Sequence, residues 1–411
     1  MDCDAVVTGE RSFHAPIAGR TGAPRKEGGQ GVRSGSAPQP GLASRWARAR
    51  EVLAVRLDNV GDVLMCGPAL RAIRDNLPEA RLTLWASPSG SRAAALLPVV
   101  DAVLSTKVVW QDLGSLPPDP AREQALVAEL RGRRFDAALI FTSFAQSPYP
   151  PAYLCYLAEI PLRAGQSKEF GGSLLTTWVR PLPDEVHQVD RNLHLLESLG
   201  FAVTGRDLAV AVPAEARESA ARILDGHGVA AGEQYVVLHP AASCSARTYA
   251  RSRFAEVGRA LVRRTGLRLI LSGSAQEREL SDWLAERIGR ASVSLAGETT
   301  LPEFAAVVGG AALVIANNTS IMHIADALRV PSVVLFAGTE LESQWRPRGA
   351  PARLLRRDTR CAPCYRFVCP FRQECLDVRP DEVVRAAEEL LSEGGRHACT
   401  FDARQPLEAD S

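Results

Sequence analysis

Nowhere in this chain do about 18 apolar residues follow one another, so the sequence holds no candidate membrane-spanning helix. The opening Met1-Asp2-Cys3-Asp4 lacks the basic-then-apolar order of a secretory signal, which makes a cytoplasmic location the default expectation. Neither sign of charge is in excess: 48 Lys and Arg face 47 Asp and Glu, for a net charge of +1. Such a balance exerts no global pull on nucleic acid or anionic lipid, and no nucleic-acid partner is expected. Nine cysteines in 411 residues are too few for a disulfide scaffold. Lysine is scarce, the basic residues being nearly all Arg. We read that as base composition of the genome, so an isolated Arg is no phosphate signal by itself. What is present, 46% hydrophobic and 23% charged residues, fits a globular chain long enough for two domains with sizeable cores.

Residues 1 to about 44 are rich in Gly, Ser, Pro and Arg and cannot bury enough surface to offset chain entropy, so disorder is expected there. From Glu51 onward, apolar runs alternate with helical patterns. Strands are predicted at Glu51–Leu57, Arg81–Ala86, Ala102–Leu104 and Phe135–Phe141, with helices over Asp62–Arg74, Ser91–Leu97 and Glu185–Gly200. A linker and a helix between Pro213 and Glu233 lead to a second series. Its predicted strands are Tyr235–His239, Leu267–Ser272, Ala312–Ala316 and Ser332–Phe336. Its predicted helices are Arg253–Thr265, Glu277–Ile288, Leu301–Val308 and Ile321–Leu328. Strand–helix alternation implies parallel sheets covered on both faces, and two such series predict two doubly wound α/β domains facing a cleft. Ligands of such sheets bind at the carboxyl ends of strands, where every motif below falls.

The first motif is Asn59-Val-Gly61-Asp62, between the first strand and helix. A glycine turn lets backbone approach a ligand, and a carboxylate at Asp62 could accept a proton from an attacking hydroxyl. Asp62 equally suits the N-cap of its helix. After the strand Tyr235–His239 comes a loop of small residues carrying Arg247, whose forked donors suit a diphosphate. A solvated surface Arg is the competing reading. Glu277, after the glycine turn Ser272-Gly273, either binds ribose hydroxyls or simply favours the first turn of a helix. Asn317-Asn318-Thr319-Ser320 precedes a helix containing His323, and the free N–H groups of that helix start, with the hydroxyls, form an anion site. A surface turn would use the same residues, and His323, one turn in, also reads as structural. Four cysteines, Cys361, Cys364, Cys369 and Cys375, crowd one segment. A structural zinc or a stapled loop stands beside free thiols as their reading, since only the first pair has zinc-knuckle spacing.

Together these pieces resemble the ADP-heptose:lipopolysaccharide heptosyltransferase family, glycosyltransferase family 9. The resemblance is carried by Val55-Arg-Leu-Asp-Asn-Val-Gly-Asp62-Val-Leu with Pro68-Ala-Leu, and by Leu238-His-Pro-Ala-Ala with Arg247-Thr-Tyr249 and Arg253-Phe254. Gly273-Ser-Ala-Gln-Glu277 and Asn317-Asn-Thr319 with Met322-His323 complete it. It covers roughly Glu51 to Leu390, with the motifs in family order, and the cysteine cluster looks like one found in some members. The resemblance implies a GT-B fold: two Rossmann-like domains, the first for acceptor and the second for nucleotide sugar. It also implies inversion at the anomeric carbon and no metal in the chemistry.

On that resemblance Asp62 is the general base, with Asn59 and Gly61 in the acceptor-side loop. Arg247 neutralises the donor diphosphate, Glu277 binds ribose, and Thr319 and Ser320 hold phosphate through backbone amides; Asn317, Asn318 and His323 complete the nucleotide-sugar site. Three positions depart from the family pattern: Asn318 where Asp is usual, Ser320 where Gly is usual, and Tyr249 where Trp is common. Asn318 keeps hydrogen-bonding geometry and drops a charge. The implied donor is ADP-heptose, and the implied acceptor is a glycan or lipid-linked saccharide, with loose contact to the inner membrane face. The expected division is 1–48 disordered, 49–213 acceptor side, 214–392 donor side with the cysteine loop 361–375, and 393–411 a flexible tail. A non-catalytic nucleotide-sugar-binding protein and a sugar-nucleotide epimerase are the alternatives.

Overall fold

The structure, a computed structural model, describes residues 44–112, 114 and 116–394. The expected disorder of residues 1–43 and the expected flexibility of 395–411 therefore lie outside the described residues. Within the expected 1–48 segment, Trp46 is buried with its ring edge-on to Phe201, 6.3 Å between centroids.

Among the described residues, twelve strands form two parallel sheets. The first holds β1 (Glu51–Arg56), β2 (Arg81–Ala86), β3 (Ala102–Ser105), β4 (Ala137–Ile140), β5 (Leu162–Gln166) and β6 (Thr177–Val179), in the order β3-β2-β1-β4-β5-β6. The second holds β7 (Tyr235–His239), β8 (Arg268–Leu271), β9 (Ser292–Ser294), β10 (Leu313–Asn317), β11 (Ser332–Leu335) and β12 (Ala352–Leu355), in the order β12-β11-β10-β7-β8-β9. Numbered within its own half, each sheet has the 3-2-1-4-5-6 order of a dinucleotide-binding fold. The order reverses between β1 and β4 in the first sheet and between β7 and β10 in the second. These are the two positions where a crevice opens beyond the strand ends.

The central strands are continuous apolar runs because helices cover both faces of each sheet. Val52, Leu53 and Ala54 of β1, and Val236 and Val237 of β7, have no accessible surface. The predicted helix Asp62–Arg74 is two helices, Val60–Leu64 and Gly67–Asn76, with Pro68 in the first turn of the second. Proline lacks an N–H and fits a helix only at its start, so it divides the run. The helix Arg251–Thr265 ends where Gly266 takes φ 71°, a left-handed cap that glycine adopts without a Cβ clash.

One hydrophobic cluster passes through both halves, from Trp46 and Leu70 by way of Ile321 to Val334 and Trp345. The short helix Val60–Leu64 packs on the helix Ser320–Ala327 of the other half. A Cβ on Gly61 would lie 2.9 Å from His323 Cδ2, so glycine sets how closely these helices approach. Polar contacts continue the junction: the His187 ring Nε2 is 3.0 Å from Arg346 O, and Arg348 pairs with Asp190 at 2.6 Å.

Candidate active site

The carboxyl ends of β1, β7 and β10 surround a cavity of about 340 Å³. Asn59, Gly61 and Asp62 line one wall; Arg247, Glu277, Asn318, Thr319, Ser320 and His323 line the other. The site is thus built from both halves of the chain, at the two points where strand order reverses.

On the first wall, β1 ends in a charged residue. Arg56 has no accessible surface. Its Nη2 donates to Asp62 Oδ1 at 2.9 Å and to Ser143 Oγ at 2.7 Å, and its Nε lies 2.8 Å from Asp58 Oδ2. Burying a guanidinium costs several kcal/mol unless it is paired, and two carboxylates meet that cost here. Gln146 completes the cluster: its Nε2 donates to Asp58 Oδ1 at 2.6 Å, and its Oε1 accepts from Ser143 N at 2.8 Å. Burial pushes the Asp58 carboxyl up, while Arg56 pulls it back. Asp62 is not the N-cap of its helix. Asn59 holds that place, and Asp62 stands three residues on in a capping box, its Oδ2 accepting from Asn59 N at 3.3 Å.

On the second wall, Arg247 sits in a single turn, Ser245–Arg247. Its Nη2 donates to Glu340 Oε1 at 2.7 Å and its Nε to Thr339 Oγ1 at 3.2 Å. Burial raises the Glu340 carboxyl, with the Arg247 charge pulling the other way. The segment bearing the four cysteines braces this corner. Phe367 O accepts from Ala246 N at 3.1 Å, and Gln373 Nε2 donates to Ser245 O. Cys364 N and Tyr365 N donate to Gly338 O and Thr339 O at 3.0 and 2.9 Å. The Tyr365 ring also meets Phe144 of the first half, centroids 5.2 Å apart.

The helix Ser320–Ala327 begins at the cavity with Thr319 as its N-cap residue. Thr319 Oγ1 is buried there without a protein partner in hydrogen-bond geometry, and the Asn318 amide nitrogen is buried beside the Glu340 carboxylate. The Thr319 hydroxyl and the free N–H groups of the helix start suit an oxyanion. Asn318 Oδ1 accepts from Ala337 N at 3.1 Å, which fixes the side chain. His323 is buried and pushed down to about 4 by that burial, so its ring is neutral against Gly61 and near Trp345. Glu277 closes a capping box, its Oε2 accepting from Ser274 N at 2.6 Å, and it also lines the cavity.

Two expectations are corrected. Asn317 does not reach the cavity: it has no accessible surface, its Oδ1 accepts from Tyr249 N at 3.0 Å, and its Nδ2 donates to Pro240 O at 2.7 Å. It ties the loop after β7 to β10, with its Nδ2 shared between Pro240 O and Ala241 O. The expected zinc site is not formed either. Cys361, Cys364, Cys369 and Cys375 are free thiols, and among the described residues no group of three or more His, Cys, Asp or Glu is placed to hold a metal ion. Only the first pair has ligand spacing, and Cys361 is exposed, its Sγ 3.5 Å from Thr359 Oγ1. Tyr249, one of the three departures, is a core residue whose hydroxyl donates to Val378 O at 2.7 Å. Arg56, Asp58, Ser143, Gln146 and Glu340 were missed by the sequence reading. A charged residue ending an apolar strand, and Gly338-Thr-Glu340 just beyond β11, were the available signals.

The family model for glycosyltransferase family 9 (heptosyltransferase) matches residues 124–374. Lipopolysaccharide heptosyltransferase 3 of Escherichia coli K12 is 25% identical over 296 residues, covering 70% of this chain and 82% of that protein. Lipopolysaccharide heptosyltransferase 2 of Salmonella typhimurium is 23% identical over 362 residues, covering 84% and 99%. The solved structure of E. coli ADP-heptose lipopolysaccharide heptosyltransferase II superimposes with a TM-score of 0.66 at 20% identity, over 84% of this chain and 99% of that one. Among the described residues no helix is long and apolar enough to cross a membrane. With more than half of its length matched, the chain belongs to glycosyltransferase family 9 and is a glycosyltransferase of the GT-B fold.

Proposed function

We propose that this chain moves a heptose from ADP-heptose onto a hydroxyl of a lipid-linked saccharide of the lipopolysaccharide type, inverting the anomeric carbon. The observation that carries this reading is that Asp62 and Arg247, from opposite halves, line one cavity. The relatives' names supply heptose and lipopolysaccharide; the solved E. coli relative's name supplies ADP-heptose. We assign residues 49–213 to the acceptor side and 214–392 to the donor side, with the acceptor presented at a membrane face.

In this reading the donor diphosphate lies between Arg247 and the helix start at Thr319 and Ser320, and Glu277 takes the ribose. Arg247 releases Glu340 to meet the phosphates. Asp62 removes the proton from the acceptor hydroxyl as its oxygen attacks the anomeric carbon, and the carbon–phosphate oxygen bond breaks on the opposite face. Charge stabilisation of the departing diphosphate is the larger contribution, since fixed donors in a closed site are already oriented. No metal enters the steps.

Two measurements test it. ADP-heptose should raise the melting temperature more than UDP-glucose does, because a true donor stabilises the folded state by mass action. Asp62→Asn should lower ADP release in the presence of heptose-deficient lipopolysaccharide by about 100-fold or more. Turnover within a few-fold of wild type would remove Asp62 from the role of base.

A further inference from the structure

A carboxylate that served only to cap the five-residue helix Val60–Leu64 would need one backbone contact, and Asp62 has it in Asn59 N. The structure supplies far more. Arg56, Ser143, Gln146 and Asp58 close a ring of contacts across the β1–β4 switch point, one of them through the Ser143 backbone N–H. Arg56 Nη2 reaches Ser143, Ser143 N reaches Gln146, Gln146 Nε2 reaches Asp58, and Asp58 returns to Arg56 as an ion pair. Asp62 hangs from this ring by one oxygen, Oδ1, at 2.9 Å from Arg56 Nη2. Its other oxygen keeps only the 3.3 Å contact with Asn59 N, and the side chain is 22% exposed at the cavity.

We infer that Arg56 is the positioning residue for Asp62: it fixes Oδ1 and leaves Oδ2 as the oxygen that receives the acceptor's proton. This rests on the reading of Asp62 as base. The charge and the shape of the guanidinium both matter. Its charge pairs with both neighbouring carboxylates, and its fork joins the loop after β1 to the loop after β4. A flexible loop would otherwise set the angle of the base, and small misplacements of a reacting group cost large factors in rate. No substrate atom needs to touch Arg56, which lies wholly beneath the cavity wall.

Arg56→Gln and Arg56→Lys test this beside Asp62→Asn. ADP release from ADP-heptose, with heptose-deficient lipopolysaccharide as acceptor, is followed over roughly pH 5 to 9, and ADP binding is followed by thermal shift. Arg56→Gln should lower kcat by about 100-fold with donor KM within about threefold, and should move the acid limb of the profile to higher pH. Arg56→Lys, which keeps the charge and loses the fork, should recover part of the rate and restore the limb. Arg56→Gln within about threefold of wild type would overturn the inference, as would equal losses in both variants with an unmoved limb. Should Arg56→Gln fail to fold, Arg56→Lys decides. A loss of about tenfold with ADP binding intact supports the role, and wild-type turnover overturns it. An active Asp62→Asn overturns the reading of the base itself; an inactive one beside an unaffected Arg56→Gln overturns only the role of Arg56.

Discussion

Arg247 and Glu340 are already paired: Nη2 and Oε1 stand 2.7 Å apart, with side chains 21% and 20% exposed. A diphosphate drawn to Arg247 must displace this carboxylate or share the guanidinium with it. The pair therefore competes with the donor, and the competition is sensitive to pH. Burial raises the Glu340 carboxyl, so its contribution to stability is fully present below the ordinary carboxylate range and declines as pH rises through the raised value. Glu340→Gln should tighten ADP binding by about three- to tenfold at neutral pH and flatten its dependence on pH. Calorimetric titration with ADP at several pH values checks both; equal affinities for variant and wild type would mean that the carboxylate does not oppose the donor.

The contact of Gly61 with His323 sets the spacing of the halves. In Gly61→Ala the new Cβ would meet His323 Cδ2 at 2.9 Å and the Ser320 backbone at 3.4 Å. Overpacking of this kind costs about 1–3 kcal/mol. The melting temperature should fall, and donor turnover with it, because Ser320 and His323 line the cavity. Adding His323→Ala should return part of the stability, a coupling that a double-mutant cycle measures directly. Additive losses would place the effect elsewhere.

Two buried histidines give the junction a defined acid sensitivity. Burial pushes His187 and His323 down to about 4 from an ordinary 6.5. Their folded-state values are depressed, so the stability they contribute is present above 6.5 and is lost as pH falls toward 4. The loss is on the order of 3 kcal/mol for each over that window. Urea unfolding at pH 7.5 and at pH 5 should show the decline, and His187→Gln with His323→Gln should reduce the slope. An unchanged slope would shift the acid sensitivity to carboxylates.

The cysteine segment supports the Arg247 turn in two ways: Phe367 O accepts from Ala246 N, and the Gln373 side-chain amide donates to Ser245 O. Gln373→Ala should raise donor KM by about three- to tenfold and leave kcat nearly unchanged, since it loosens the Arg247 turn without touching Asp62. Steady-state kinetics separates the two constants. A fall in kcat alone would contradict this placement.

Most of the fold was legible because buried parallel strands are apolar runs with few other interpretations. The strands that escaped notice lack that signal. β5 is Leu-Arg-Ala-Gly-Gln, and its Arg163 is buried with Nε donating to Leu174 O at 2.8 Å, a tertiary compensation no local pattern reveals. β6 and β9 are three-residue edges, and β12 is a half-buried edge. Asn59, Gly61, Asp62, Arg247, Glu277, Asn318, Thr319, Ser320 and His323, singled out from turn chemistry at strand ends, all line the cavity, because that chemistry is local. What could not be read was partnership across the chain. Asn317 and Asn318 are adjacent and alike in sequence, yet one braces a loop behind the wall and the other faces the cavity. Arg56 finds Ser143 and Gln146 holds Asp58 at separations of 87 and 88 residues, so neither contact has a sequence signature.

The two sheets share one strand order, and this has a consequence for how the enzyme can diversify. Each half contributes its own strand-end loops to the common cavity, from its own sheet. Loops after β1, β4 and β5 can therefore be exchanged without rebuilding the turn at Arg247 or the helix start at Thr319, and the reverse holds as well. The shared hydrophobic cluster and the contacts at Gly61, His323 and the His187 junction must be preserved through such changes. The molecule is in effect two frameworks of one topology joined along a shared core.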